Sequence, residues 1–377
     1  MATDRENRIH PCRCARFLSM NTRLLLAACT LLVTTTVSHA AELQAVASFA
    51  NQQVTGVGVS QKSGRIFVNF PLWSDDHLLS VAELVDGQPR PFPNEEWNKP
   101  GDPGSHFVCV QSVVADAEDN LWILDPAAPK MQEIVKGGPK LVKVDLRTNQ
   151  VVQTIPFGED IAPKKSYLND VRIDTGANVA FITDSGKGAI IVVDLQTGKA
   201  RRLLDGAKST TGEKDVKLSI DGKALINHET RSAPQIASDG IALDVKNGYL
   251  YDHALTAHTL YRIKTSALVD ANLSSSDLAG KIETVAQTPA PDGMLEAADG
   301  SVYLTDIEGS AIVRWNVATN NVELVIADRR LLWPDTLAWG AGGELYVTAS
   351  QIQHMARFNG GKTTRTEPYK LWKVTGL

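Results

Sequence analysis

The sequence predicts an all-β protein, a six-bladed β-propeller of four-stranded antiparallel blades, and three observations predict it. One phrase recurs six times, opening at residues 55, 111, 169, 239, 292 and 335. Consecutive openings lie 43 to 70 residues apart, and a period of about 50 residues built of short strands marks a propeller. Between the openings apolar and polar residues alternate with period two, while the 3.6-residue period of amphipathic helices is nearly absent.

The amino-terminal stretch stands apart from this pattern. From Met20 the chain reads MNTRLLLAACTLLVTTTVSHAAELQ, with a basic start at Arg23, an apolar run from Leu24 to Val37, and small residues at Ser38 and Ala40. That is the layout of a secretory signal, too short and too rich in Thr for a membrane span of about 20 apolar residues. The expectation is a leader over 1–40 with Met20 as the effective start, export to a secreted or periplasmic location, cleavage after Ala40, and no membrane span in the mature chain. LAAC, ending at Cys29, leaves lipidation open. Cys12, Cys14 and Cys29 fall in that leader, so Cys109, in the strand pattern HFVCVQSVV, is expected to be a lone buried thiol rather than half of a disulfide.

The single propeller domain is then expected over 41–377. LQAVASFA, residues 43–50, is placed as the strand that completes the last blade. The six phrases follow in order: TGVGVSQKSGRIFVNF, QSVVADAEDNLWILD, NDVRIDTGANVAFITD, DGIALDVKNGYLYDH, DGMLEAADGSVYLTD and DTLAWGAGGELYVTA. In each, a polar or small opener starts an apolar strand, a Gly, Asn or Asp turn reverses it, and an aromatic residue arrives in the second strand, which is the hairpin pattern. GAIIVVDLQTGKARRLL, HTLYRIKTSAL and SAIVRWNVATNNVELVI supply outer strands. Phe67, Trp122, Phe181, Tyr251, Tyr303 and Tyr346 are expected to pack between blades. Residues 74–105 and 201–235 are read as insertions on the propeller faces, where loops carry function.

A content of 43% hydrophobic and 21% charged residues is that of a globular chain rather than a disordered one. The net charge of −5, with no concentrated basic face, argues against nucleic acid as a partner. The eight histidines show no metal-ligand spacing.

Chemistry is expected at the openers, because the innermost strand of each blade starts beside the central channel. Thr55, Gln111, Asn169, Asp239, Asp292 and Asp335 would form a ring of oxygen-bearing side chains around one axis. Its three carboxylates must either raise one another's pKa or neutralise one another on a cation. Oxygen donors of this kind suit calcium or magnesium. The alternative is that Asp followed by Gly merely builds a turn.

Laid out by blades, the chain resembles the Yellow and major royal jelly protein family. GVGVSQKSGRIFVNFP, VVADAEDNLWILD, PKLVKVDLRTNQVVQTIPF, SYLNDVRIDTGANVAFITDSGKGAIIVVDLQTGKARRLL, SDGIALD, LYRI and LWPDTLAW carry the resemblance. It implies a secreted six-bladed propeller whose tunnel binds small aromatic amines or other small ligands, and it brings dopachrome-type tautomerisation as an associated activity. More distantly the chain resembles the gluconolactonase and regucalcin propellers, whose divalent metal is held by Glu, Asn and Asp at blade openers. On that resemblance Asn169, Asp239 and Asp292 would hold the metal and Asp239 or Asp292 would act as base, while Thr55 stands where the Glu would be. Three functions follow: a binder of a small polar or aromatic ligand, a lactone hydrolase or tautomerase, and a protein-interaction scaffold.

Overall fold

The computed structural model describes residues 41–74, 77–366 and 368–377. The expected leader, including Met20, Cys29 and the Ala40 cleavage point, lies outside the described residues. Among the described residues no helix is long and apolar enough to cross a membrane.

Six four-stranded antiparallel sheets follow one another around a ring, the first five running from the innermost strand outward in chain order. Blade 1 comprises Gly56–Val59, Ile66–Asn69, Val81–Val85 and Gln88–Pro91. Blade 2 comprises Ser112–Ala115, Asn120–Asp125, Lys140–Asp145 and Gln150–Pro156. Blade 3 is Leu168–Asp174, Val179–Asp184, Ala189–Asp194 and Ala200–Leu203. Blade 4 is Ser238–Asp244, Tyr249–Ala254, Thr259–Lys264 and Glu283–Gln287. Blade 5 is Met294–Glu296, Val302–Asp306, Ala311–Asn316 and Asn321–Ala327. Blade 6 takes Pro334–Trp339, Leu345–Ala349 and Tyr369–Thr375 from the end of the chain and Glu42–Phe49 from its start. The last two strands pair antiparallel from Glu42 with Thr375 to Phe49 with Tyr369, and this closes the ring as the sequence predicts.

The recurring aromatics fill the seams between blades. Phe67 packs with Val113 and Leu121 of blade 2, Trp122 with Val171 and Ala180 of blade 3, and Phe181 with Ile241 and Leu250 of blade 4. Tyr251 meets Met294 and Leu304 of blade 5, Tyr303 meets Leu337 and Leu345 of blade 6, and Tyr346 meets Val57 and Val59 of blade 1. An aromatic ring buries about 150–250 Å², so each seam gains several kcal/mol of gross hydrophobic stabilisation at ~25 cal/mol per Å².

Both expected insertions are smaller than the sequence reading makes them. Within 74–105 the segment Val81–Pro91 is the outer hairpin of blade 1, turned at Asp86 (φ 52°) and Gly87 (φ 73°). Asp-Gly is a strong hairpin signal, hidden here by Pro89 and Pro91, which an edge strand tolerates because it has free N–H positions. Ala200–Leu203 likewise belongs to blade 3, and the true excursion after it carries a small hairpin, Ser219–Ile220 with Lys223–Ala224.

A carboxylate at the end of the second strand fixes where an inner strand begins. Asp125 accepts from Val108 N, Cys109 N and Ala127 N and pairs at 2.8 Å with the buried Lys140. Asp184 accepts from Tyr167 N, Gly186 N and Lys187 N and pairs at 2.6 Å with Arg202. These bonds tie the loop leading into blades 2 and 3 to their hairpins and so set the positions of Gln111 and Asn169. Cys109 beside Asp125 is a free, buried thiol, pushed up to about 12 by burial.

Candidate functional site

Several openers sit where their strand is interrupted. The inner-strand register shifts between Leu168 and Val171, between Ser238 and Gly240, and between Pro334 and Leu337, which brackets Asn169, Asp239 and Asp335. An irregularity of this kind re-aims a side chain out of the sheet's alternation. Threonines of the second strands hold the freed backbone: Thr183 Oγ1 accepts from Asp170 N, Thr305 Oγ1 from Asp292 N and Gly293 N, and Thr348 Oγ1 from Thr336 N. Thr183 also donates to Asp239 O and Thr348 to Thr55 O, so each clasps the following blade.

The Asp-Gly pairs have a packing cause. A Cβ on Gly240 would lie 2.8 Å from Asp292 O, and one on Gly293 would lie 2.0 Å from Asp335 O. Successive openers approach too closely for any side chain at the next position. Glycine therefore draws the three aspartates together.

A cavity of about 1460 Å³ opens from one face and ends on these residues. Gln111, Asn169, Asp239, Asp292 and Asp335 line it together with Trp73, Tyr167 and Trp333. Thr55 is fully buried, takes a hydrogen bond from Asn69 Nδ2 at 3.0 Å, and does not line the cavity. In the wall, Tyr167 donates to Gln111 Oε1 at 2.9 Å and accepts from Trp73 Nε1 at 2.8 Å.

The floor is a chain of carboxyl groups. Asn169 Nδ2 donates to Asp239 Oδ1 at 2.6 Å, and Trp333 Nε1 donates to Asp292 Oδ2 at 2.6 Å. Asp292 is hydrogen-bonded to both Asp239 and Asp335. Burial, then the charge of Asp292, holds Asp239 and Asp335 well above the ordinary carboxylate range. Burial raises Asp292 as well, to about 6, against the donation from Trp333. Burial and mutual repulsion therefore make the three carboxyl groups hold protons to higher pH than free aspartates, and Asp292, restrained by the Trp333 donation, is raised to about 6.

Next to them an ion pair within the inner strand of blade 3 reaches a second blade. Arg172 Nη1 lies 3.0 Å from Asp170 Oδ2, and its Nη2 donates to Met294 O of blade 5 at 2.7 Å. Ser112 of blade 2 donates to Asp170 Oδ1 at 2.6 Å. Blades 2, 3 and 5 are thus bridged, and neither Asp170 nor Arg172 lines the cavity.

Oxygen donors such as Asn169, Asp239 and Asp292 are of the class a hard divalent ion takes. Here their polar atoms face one another, and among the described residues no three His, Cys, Asp or Glu side chains are grouped to hold a metal ion.

The sequence reading left out Trp333, Asp170, Arg172, Trp73 and Tyr167. Asp170 and Trp333 lie one and two residues from an opener, in LNDVRID and LWPDTLAW, so proximity was the available signal. Tyr167 likewise lies two residues before the opener Asn169, whereas Trp73 comes from a loop and had no such signal.

Comparison with known proteins agrees with this architecture. A gluconolactonase from Xanthomonas campestris superposes with a TM-score of 0.54 at 10% identity, covering 89% of each chain. A calcium-binding regucalcin from Agrobacterium tumefaciens superposes with a TM-score of 0.53 at 14% identity, covering 88% of this chain and 93% of its own. At such identities the likeness is one of fold. In sequence, major royal jelly protein 9 of Apis mellifera is 22% identical over 304 residues, 76% of this chain and 68% of the relative. The family profile described as major royal jelly protein matches residues 108–365, from the loop leading into blade 2 to the loop before the last strand, and on that match the chain belongs to the major royal jelly protein family.

Proposed function

We propose that the protein is an exported propeller that binds a small organic cation, an aromatic amine, in the cavity on its axis. One observation carries this reading: the buried carboxyl group of Asp292, held by the Trp333 indole N–H, lines a cavity that Trp73, Tyr167 and Trp333 also line. A buried carboxylate calls for a cation, and indole and phenol faces suit a ring and an ammonium group. The family resemblance, which includes binders of aromatic amines, supports the same reading. Export rests on the signal-like leader and is tested by sequencing the amino terminus of the processed protein.

Titration calorimetry with phenethylamine and tyramine tests the binding. The reading expects saturable binding, weakened about tenfold or more in Asp292→Asn, as the loss of one charge-assisted hydrogen bond implies. Phenethylamine affinity indifferent to that substitution would refute it.

The retained protons support a second reading, tautomerisation. Asp292 as base and protonated Asp239 as acid could move a proton between two atoms of a bound enolisable ligand without solvent. Turnover of such a ligand, lost in Asp292→Asn with the fold intact, would distinguish an enzyme from a binder. Metal-assisted lactone hydrolysis instead needs a divalent ion on Asn169, Asp239 and Asp292. It would show as a calcium-dependent rise in melting temperature, reversed by chelator and absent from Asp239→Ala.

A further inference from the structure

The cavity is acidic at its floor, and its wall carries Lys136, Lys164, Lys165 and Arg357 against Glu133 and Glu159. Arg357, half-buried, lines it from the loop that follows the second strand of blade 6. That loop is stitched to itself: Phe358 N donates to Met355 O, Gly361 N to Ala356 O, and Asn359 Nδ2 to both Gln353 O and Met355 O. His228 N donates to Arg357 O at 2.7 Å and anchors it to the long excursion between blades 3 and 4. The residue is held in place by its backbone.

The guanidinium contacts a thioether and a ring. Its Nη1 donates to Met131 Sδ, and its Cζ lies 5.8 Å from the Phe358 centroid. A thioether is a weak acceptor, whereas the guanidinium carries five N–H donors in a fixed fork and keeps its charge at every relevant pH. Among the described residues no carboxylate forms an ion pair with Arg357. Glu133, which lines the same wall, lies 3.7 Å from Lys164 instead. Exposed Lys136 and Lys165 extend the positive rim.

Size points the same way. At about 1460 Å³ the cavity exceeds the roughly 300–1,000 Å³ of ordinary small-ligand sites. A single ring bearing an ammonium group, seated on Asp292, leaves the Arg357 wall unused. Apolar surface from Ile134, Phe157, Leu255 and Ile352 lines the space, so an occupant that fills it is apolar in the middle.

We propose that the occupant is dipolar, with an amine that seats on Asp292, an apolar or aromatic body, and a carboxylate at its far end that takes the fork of Arg357. This rests on the amine-binding reading and narrows it from any aromatic amine to one whose opposite end is anionic. Asp292 is buried at the blade openers and Arg357 is half-buried in the loop after the second strand of blade 6, so the spacing between the two charges is what a ligand has to match.

The test is calorimetry of the full chain with phenethylamine and with para-substituted phenethylamines carrying a carboxylate on tethers of increasing length. At one tether length the carboxylate is expected to tighten binding about tenfold or more, the effect of one bidentate charge-assisted pair. The difference between tethered and untethered ligand should vanish in Arg357→Gln and return in part in Arg357→Lys, with thermal unfolding confirming that both variants fold. Phenethylamine that binds equally well with and without every tether would overturn the dipolar proposal alone. A gain that survives in Arg357→Gln would overturn it too. Failure of phenethylamine to bind at all would remove the reading beneath it, and the proposal with it.

Discussion

Trp333 Nε1 donates to Asp292 Oδ2 at 2.6 Å, joining the residue that leads into blade 6 to the opener of blade 5. Trp333 is fully buried and holds a φ of 56°, a left-handed conformation that a bulky residue adopts only when its surroundings enforce it. Ser350 supplies that enforcement, with its N and its Oγ both donating to Trp333 O. The backbone is thus held against its preference with the indole N–H aimed at the Asp292 carboxylate.

Trp333→Phe should therefore raise Asp292 above its present value of about 6, because the donation from Trp333 is what restrains the effect of burial. Amine affinity measured against pH should show its midpoint moved upward, with weaker binding at neutral pH. An unmoved midpoint would mean that the Trp333 bond does not control the charge of the floor.

The carboxylate chain also predicts the direction of a stability profile. The folded chain retains protons on Asp239, Asp292 and Asp335 to higher pH than the unfolded chain, whose aspartates titrate at about 3.9. The stability due to those protons is complete below that value and is lost as pH rises through the folded values, of which Asp292 lies at about 6. Asp335→Asn should remove part of this cost. Relative to the parent, it should gain a few degrees in melting temperature at pH 8 and little or nothing in mild acid, as differential scanning calorimetry across that range would show.

Closure of the ring can be tested at Phe49. Its ring meets Phe70 edge-on at 5.2 Å, and its strand pairs with Tyr369–Thr375. Phe49→Ala should cost about 3–5 kcal/mol in urea unfolding, as other buried Phe truncations do. Removing Glu42–Phe49 altogether should leave an open strand edge and drive self-association visible by size-exclusion chromatography.

The blades were legible because their causes are local. Alternation, the turns and a seam-filling aromatic in each second strand all fall within about fifteen residues, so Phe67 through Tyr346 announce themselves in the sequence. The ring of openers was legible by repetition. What joins the openers was not: Arg172 reaches Met294 across 122 positions, and Trp73 meets Tyr167 across 94. The reading of Asp-Gly as a turn also missed its cause, since Gly240 and Gly293 are small for the neighbouring opener's sake. At Asp86-Gly87 the converse happened, and a true turn was obscured by the prolines after it.

The bridge from Asp170 and Arg172 to blade 5 gives the last prediction. Arg172 and Asp170 are both buried, so removing one partner leaves a charge without compensation, a loss of about 3–5 kcal/mol where such pairs have been broken. Arg172→Met should show that loss in urea unfolding, and Asp170→Asn added to it should recover much of it, because the stranded charge is then gone. Binding separates this from a purely structural role. Asp170 adds its negative charge to the field at Asp239, Asp292 and Asp335, and Arg172 is the cation beside it. Without Arg172 the floor should hold its protons to still higher pH, and the midpoint of amine binding should rise. The double variant should bring that midpoint back down, since neither charge remains. A midpoint that stays fixed while stability falls would make the bridge a brace for blades 2, 3 and 5 with no influence on the charge beside it.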